Sequence, residues 1–580
     1  MKKIYMIVQS KDIGSALKSL RKIGTVHVEQ QVFKPSDEIG KLKDDIKYLS
    51  RIVDVLSRKN IAKQSKLEDL DAQAKKILHD LSLIDNLEES IEIRKATIHK
   101  WEHWGDFNPA DIKDLLSSGI YVGLFKIPVI ELVNLSESLI VDVVSKVGGI
   151  ANCIIVSKNS LDIGFDQIKL PDLSLSEMLK LQDEDKTKIE DIRQCLLGDA
   201  KYLNVFKKAL DVQKDSLKFK EVVDSMTEVE NLSWLRGFCP KEACAALKED
   251  AGKHHWGLLI EEPKEDEQVP TLLRNPKWVE LIKPVFSMID ILPGYKEVDI
   301  SFFFLTFFSF FFGILIGDAG YGLIFLFSTF LAKVKLGKKV KDKSPFGLMY
   351  LLSIVTIIWG VLSGTFFGQQ WLFALNIKAL VPWLQDANNV QMLCFLIGAV
   401  HLSIAHIWRA ILKFPHASFL GEVGWLLILW GMFFVAKMLV LDMAFPLHAK
   451  YLFMVGPALV IFFTKPNFNP LKAIGPGIGD FLLNIVNTFA DIVSYIRLFA
   501  VGLASVAVAD AFNSMALDIG FSSVLAGFLS AIILVCGHVF NIILGAMSIL
   551  VHGLRLNVLE FSGHLNMEWA GFKYEPFKKR

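Results

Sequence analysis

From residue 299 onward the chain is a succession of long apolar runs separated by short loops, and no other feature constrains its fold as strongly. A run needs ~20 residues to cross a hydrocarbon core ~30 Å thick, and fewer where aromatic residues flank it. Eight runs qualify: about 300–317, 319–335, 346–368, 390–412, 418–441, 449–464, 479–515 and 521–556. Residues 1–297 have another composition, rich in Lys, Asp and Glu with short apolar repeats. The mean hydropathy of +0.39 therefore averages two unlike halves, and 580 residues exceed one ordinary domain. The expectation is an α-helical polytopic membrane protein, with about eight transmembrane helices at 298–580 behind a hydrophilic head at 1–297.

Periodicity divides the head. Ile4–Val8, Gly14–Ile23 and Thr25–Gln30 read as a βαβ start. Leu42, Ile46, Leu49, Val53 and Leu56 recur at helical spacing; after a polar break near Asn60–Ser65 the seam resumes at Leu67, Leu70, Ala74, Ile77, Leu81, Ile84 and Ile91. A second helical stretch, about 176–229, carries Ile189, Ile192, Leu196, Leu203, Phe206 and Leu210. Two such stretches predict an antiparallel coiled-coil hairpin, each arm of ~50 residues spanning ~75 Å. Strands at Ile120–Ile127, Val141–Val147 and Cys153–Val156, with a helix at Val129–Leu135, form a far α/β lobe. Leu232–Phe238, a helix at Lys241–Glu249 and the strand Trp256–Ile260 complete a near lobe. The expected head is thus a dumbbell of two α/β lobes: near lobe 1–40 and 232–265, arms 41–104 and 176–229, far lobe 105–175, and a connector 266–297.

A net charge of +1 gives no argument for nucleic acid, and the six cysteines show no zinc spacing. The apolar run at Ile4–Val8 is too short for a secretory signal, so the head is expected in the cytoplasm. Basic residues gather in the even-numbered connections: Lys333–Ser344, then Arg409 and Lys413, then Lys465 and Lys472, then the tail FKKR. The loop 369–389 holds few. By the positive-inside bias both termini face the cytoplasm. The chain lacks G-x-x-x-x-G-K-[ST], so it is not expected to bind ATP; GPGIGD at 475–480 reads as the entry to helix seven.

One residue stands against its surroundings. Arg497 lies in ADIVSYIRLFAVGLAS (490–505), and a guanidinium cannot be neutralised by losing its proton. On its helical face lie the compact Ala490, Ser494, Val501, Ala504 and Val508, which allow another helix to approach. Arg497 either snorkels or pairs structurally, or serves function. The apolar run extends more than two turns on both sides, and this favours function. Asp491 is ~9 Å to one side along the axis and Asp510 ~20 Å to the other, both rotated away. With no carboxylate beside Arg497 in this chain, the expectation is that a partner supplies one. Helix eight carries His538, Asn541, Gly545, Ser548, His552 and Arg555 with gaps of three and four, a wet or helix-facing seam. Helices seven and eight each run ~35 residues without proline, ~50 Å, so both are expected to tilt or project.

SYIRLFAVGLAS (494–505), followed by LVHGLRLNVLEFSGHL (550–565), resembles the last two membrane helices of subunit a, called subunit I in prokaryotes, of V-type and archaeal-type rotary ATPases. The resemblance is strong over about 470–580, clear over 268–322, and mainly architectural elsewhere. It implies that Arg497 is the stator arginine and that His552, Arg555 and Glu560 match the last helix's motif. It also implies a proteolipid rotor ring, elongated peripheral-stalk proteins, a central-stalk collar subunit and the lipid bilayer as partners, with no cofactor. Ser505 and Gly545 stand where eukaryotic relatives usually carry histidine and glutamate, so those roles do not transfer. Ser494, Ser505, Asp491, Asp510, His538 and Asn541 are candidates for two half-channels, one opening to each side. A secondary transporter would need midplane substrate groups and internal repeats, which are not seen; a membrane-anchored coiled-coil scaffold would tolerate loss of Arg497.

Overall fold

The computed structural model describes residues 1–29, 36–57, 69–134, 139–159, 163–340, 342–368, 380–464, 470–520 and 522–579. They form two units, one of Lys3–Ile260 with the residues from Pro576, the other of Met1–Lys2 and Glu261–Glu575. Lys465, the break near 60–65 and most of the loop 369–389 lie outside the described residues.

In the first unit, β1 (Lys2–Gln9) turns Ile4, Met6 and Val8 inward at strand period, and α1 (Ile13–Ile23) covers them with Ala16, Leu17 and Leu20. The sheet order is β2 (His27–Val28), β7 (Leu232–Cys239), β1, β8 (Gly257–Glu261), with β6 (Thr227–Val229) on β7. The expected βαβ start is therefore not an adjacent pair. Local pattern shows that a strand exists but not its neighbour, and β7, arriving some 200 residues later, separates the two. The α7 helix (Cys244–Lys253) adds Leu247 to this core, and Phe577 joins it, its N–H donating to Val26 O at 2.7 Å. Assigning the whole tail to a membrane domain needs correction here: the residues from Pro576 belong to the near lobe.

The rod is built from α2 (Asp37–Leu56), α3 (Leu70–Trp101), α5 (Leu175–Asp199) and α6 (Leu203–Asp224), with α2 packed on α6 and α3 on α5. Its core holds Leu49, Leu56, Ile77, Leu81, Ile84, Ile189, Leu196, Phe206 and Leu210. Ile52 is fully buried and the expected Val53 only partly, because a seam at 3.6 residues per turn drifts from a strict heptad. A capping box of Ser174 and Glu177 starts α5, and a 3₁₀ turn at Ala200–Tyr202 separates it from α6. The far lobe is antiparallel, ordered β3 (Tyr121–Pro128), β5 (Ile150–Ser157), β4 (Ile140–Val147), with α4 (Pro109–Ser117) beside it. Val129–Asn134 is a 3₁₀ segment rather than the expected α-helix.

The second unit is helical. Among the described residues, six stretches are long and apolar enough to cross a membrane: Ala319–Leu336 (α10), Ser344–Ser363 (α11), Ala387–Lys413 (α12), Phe419–Leu441 (α13), Phe481–Ile519 and Val524–His564. Two shorter apolar helices, Ser301–Ile316 (α9) and Ala449–Phe463 (α14), accompany them. The connector does not stay with the hydrophilic head. Ile282 and, in α8 (Lys283–Met288), Val285 and Phe286 share one core with Phe304, Phe311, Phe395 and Leu429. Between α9 and α10 the buried Asp318 caps α10, accepting from Gly320 N at 2.7 Å and Tyr321 N at 3.2 Å, and it also accepts from Gly368 N at 2.8 Å. A Cβ on Gly360 would lie 2.1 Å from Ala319 N, so α11 can press against this turn only with glycine there.

Candidate functional site

Helix seven is two helices, α15 (Pro470–Ser494) and α16 (Ile496–Ile519), meeting at Tyr495. Tyr495 N donates to Ile492 O at 3.2 Å and Leu498 N to Tyr495 O at 3.1 Å, one tightened turn in place of the α-helical pattern. Arg497 Nε donates to Ser494 O at 2.9 Å. Ser494 Oγ donates in turn to Asp491 O at 2.7 Å.

The expectation that this chain offers Arg497 no carboxylate is overturned. Arg497 Nη2 donates to Glu560 Oε1 at 2.7 Å, and Arg555 Nε reaches the same oxygen at 3.4 Å. Glu560 is buried, its side chain 4% exposed, while Arg497 keeps 24%. The cause is local. Helix eight begins as α17 (Val524–Ser548) and continues through two π-helical segments, Ile549–Gly553 and Leu556–Phe561. Each wide turn shifts the register, so Glu560 faces Arg497 although a 3.6-residue projection does not place it in the stripe. Glu560 Oε2 and His552 Nδ1 are buried without a hydrogen-bond partner among the described residues.

The upper part of the stripe is helix-facing. Asn541 Nδ2 donates to Tyr321 Oη at 3.0 Å and to Ser505 O at 2.8 Å, Ser505 Oγ donates to Asn541 Oδ1 at 3.2 Å, and Tyr321 Oη meets His538 Nδ1 at 2.8 Å. Gly545 packs on Ile316. This closed polar cluster ties α10, α16 and α17 together.

A second network was not foreseen. Asp491 Oδ2 meets His564 Nε2 at 3.0 Å, His564 Nδ1 meets His406 Nε2 at 3.0 Å, and His406 Nδ1 meets Glu422 Oε2 at 3.0 Å. Glu422 Oε1 then receives Arg409 at 2.9 Å and Lys413 at 2.5 Å. Four helical segments thus share one chain of hydrogen bonds. Glu422 and His406 gave a signal in sequence, each an ionisable group inside an apolar run.

Two cavities flank the arginine along its helix. One, of about 630 Å³, is polar and lined by Asn484, Asn487, Asp491, His406, His564 and Glu560 among others. The other, of about 590 Å³, follows α16 in the opposite direction along Leu498, Gly502, Val506 and Asp510, and reaches Ser363 and Thr365. Ala500, Leu503, Ala504 and Ala507 of α16 are exposed, as are Leu525, Phe528, Val535, Val539, Ile543 and Met547 of α17.

Fold and site define a polytopic helical membrane protein with a rod-and-lobe N-terminal unit and a paired arginine between its last two helical segments. The chain belongs to the subunit I family of V-type and A-type ATP synthases. V-type ATP synthase subunit I of Borreliella burgdorferi is 34% identical over 100% of this chain and 99% of that protein. V-type ATP synthase subunit I 1 of Treponema pallidum is 30% identical over 100% and 99%. A-type ATP synthase subunit I of Pyrococcus abyssi is 29% identical over 63% of this chain and 58% of that protein. No family model matches the chain. A crystal structure of the cytoplasmic N-terminal domain of subunit I, homolog of subunit a, of V-ATPase aligns with 45% of this chain and all of that one, at 14% identity and a TM-score of 0.22.

Proposed function

We propose that the chain is the ion-translocating stator subunit of a rotary ATPase membrane sector, carrying H⁺ or Na⁺ between two half-channels past Arg497. One observation carries this: a cation paired at 2.7 Å with Glu560 sits where a polar cavity on one side gives way to a separate cavity on the other. The exposed small residues of α16 form the face on which a proteolipid ring would run. An ion bound to a ring carboxylate would enter through one cavity. As that carboxylate nears Arg497 the cation favours its charged form and drives the ion off, while repelling ions that would otherwise cross directly. Arg497 then exchanges Glu560 for the arriving carboxylate and back again, so no charge is left bare at the crossing. The Asp491–His564–His406–Glu422 chain supplies the cytoplasmic path and Asp510 lines the other.

The chain is non-catalytic, with the ATP sites on other subunits. The unit built on Lys3–Ile260 acts as the stator element, its lobes binding peripheral-stalk and collar subunits, and both termini are cytoplasmic. The test is ATP-driven ion uptake by the reconstituted complex: Arg497→Ala and Arg497→Lys should abolish it while the complex still assembles. Wild-type uptake by Arg497→Ala would sink the assignment.

A further inference from the structure

His401 and Tyr495 are both fully buried, at 0% exposure, within the apolar core. The imidazole of His401, on α12, lies between two phenyl rings. Phe307 of α9 is stacked at 3.9 Å and 22°, and Phe561 at 4.2 Å and 11°. Its Nδ1 meets Tyr495 Oη at 2.9 Å, and Nε2 has no partner among the described residues. Gly398, one turn earlier on α12, makes room for the Tyr495 ring; a Cβ there would lie 2.6 Å from it.

Two contacts of His401, with Tyr495 and Phe561, lead to the two sides of the ion pair. Tyr495 is the residue at which helix seven breaks, and the carbonyl just before it, of Ser494, receives Arg497 Nε. Phe561 is the residue after Glu560. A polar ring buried among phenyl groups gains nothing from hydrophobic burial that a phenylalanine would not give, and stranding its nitrogen costs stability. What an imidazole adds is one directional bond to a tyrosine combined with flat faces for stacking. We infer that His401 is a positioning residue: it clamps Tyr495 with one edge and Phe561 with one face, and so fixes the separation of Arg497 and Glu560 across the two helices. Unclamped, the arginine would lose its register with Glu560, and the exchange of carboxylates would no longer be tied to rotation. His401 bears on coupling only if Arg497 is the coupling cation, as proposed above.

The test compares the whole complex in proteoliposomes, reading the ratio of ATP-driven ion uptake to ATP hydrolysis. Tyr495→Phe and His401→Phe should each lower that ratio about fivefold, the population shift that one lost hydrogen bond produces. A purely structural role would reduce uptake and hydrolysis together and leave the ratio untouched. The double variant His401→Phe/Tyr495→Phe strands no polar group, so it should recover assembly and heat resistance but not the ratio. A normal ratio in the single variants, recovery of the ratio in the double, or a double that fails to assemble would each overturn the clamp. Arg497→Ala is run beside them: if it couples normally, the stator assignment fails, whereas if it uncouples and the clamp variants do not, only the clamp fails.

Discussion

Replacing Glu560 by glutamine keeps shape and removes charge, and the pair geometry sets the size of the effect. With Nη2 and Oε1 at 2.7 Å, the charge centres are ~4 Å apart and attract by ~4 kcal/mol at an effective dielectric of ~20. Arg497 is 24% exposed, which screens the attraction to ~2 kcal/mol. Under the proposed exchange, a rotor carboxylate leaving Arg497 is replaced by Glu560, so its departure is nearly balanced. In Glu560→Gln nothing replaces it, and the rotor is held more tightly by that ~2 kcal/mol, slowing turnover ~30-fold. The assay is ATP hydrolysis by the reconstituted complex with an uncoupler present, which removes the ion gradient but not the grip on the ring. Slow hydrolysis at normal assembly is expected. Wild-type hydrolysis in this uncoupled assay would show that Glu560 does not compete with the rotor carboxylate for the arginine, and the reasoning would be refuted.

Other outcomes follow from particular contacts. Asp185, buried on the rod, accepts from Arg94 at 2.8 Å and from Lys188 at 3.3 Å; the Arg94 bond, working against burial and assisted by Lys188, holds its carboxyl below the usual range. Its stabilisation is therefore complete above the ordinary carboxylate range and lost as pH falls through the depressed value. Thermal melting should show Asp185→Asn less stable than wild type by ~2 kcal/mol at neutral pH, with the gap closing in strong acid; a gap constant with pH would contradict this. Gly360→Ala should cut assembled complex severely, because the new methyl group meets the Ala319 backbone rather than a movable side chain, and blue-native electrophoresis would reveal it. His564→Phe breaks the relay between Asp491 and His406 while leaving Arg497 paired, so ion uptake should fall ~10-fold or more without loss of the complex; unchanged uptake would remove the relay from the ion path.

How much of this was legible depends on how local the signal is. Arg497 could be found because a permanent cation amid apolar residues is costly wherever its helix packs. Its partner could not, since the π turns at 549–553 and 556–561 break the periodicity on which face assignment relies. The seam of the rod was readable from Leu49, Ile77, Leu81 and Phe206, whose spacing repeats over many turns. Glu422, His406 and His564 lie in separate stretches of the sequence, and only packing makes them one network. The strands of the near lobe were visible singly, but their order was fixed by β7 from far along the chain.

Phe577 has a consequence for biosynthesis. A ribosome finishes every apolar run before it makes this side chain, yet the lobe containing the first strand uses it as part of its interior. That interior stays unfilled until the whole membrane half has been made, so a nascent chain truncated anywhere in the membrane half presents an unfinished N-terminal lobe to the cell's proteases.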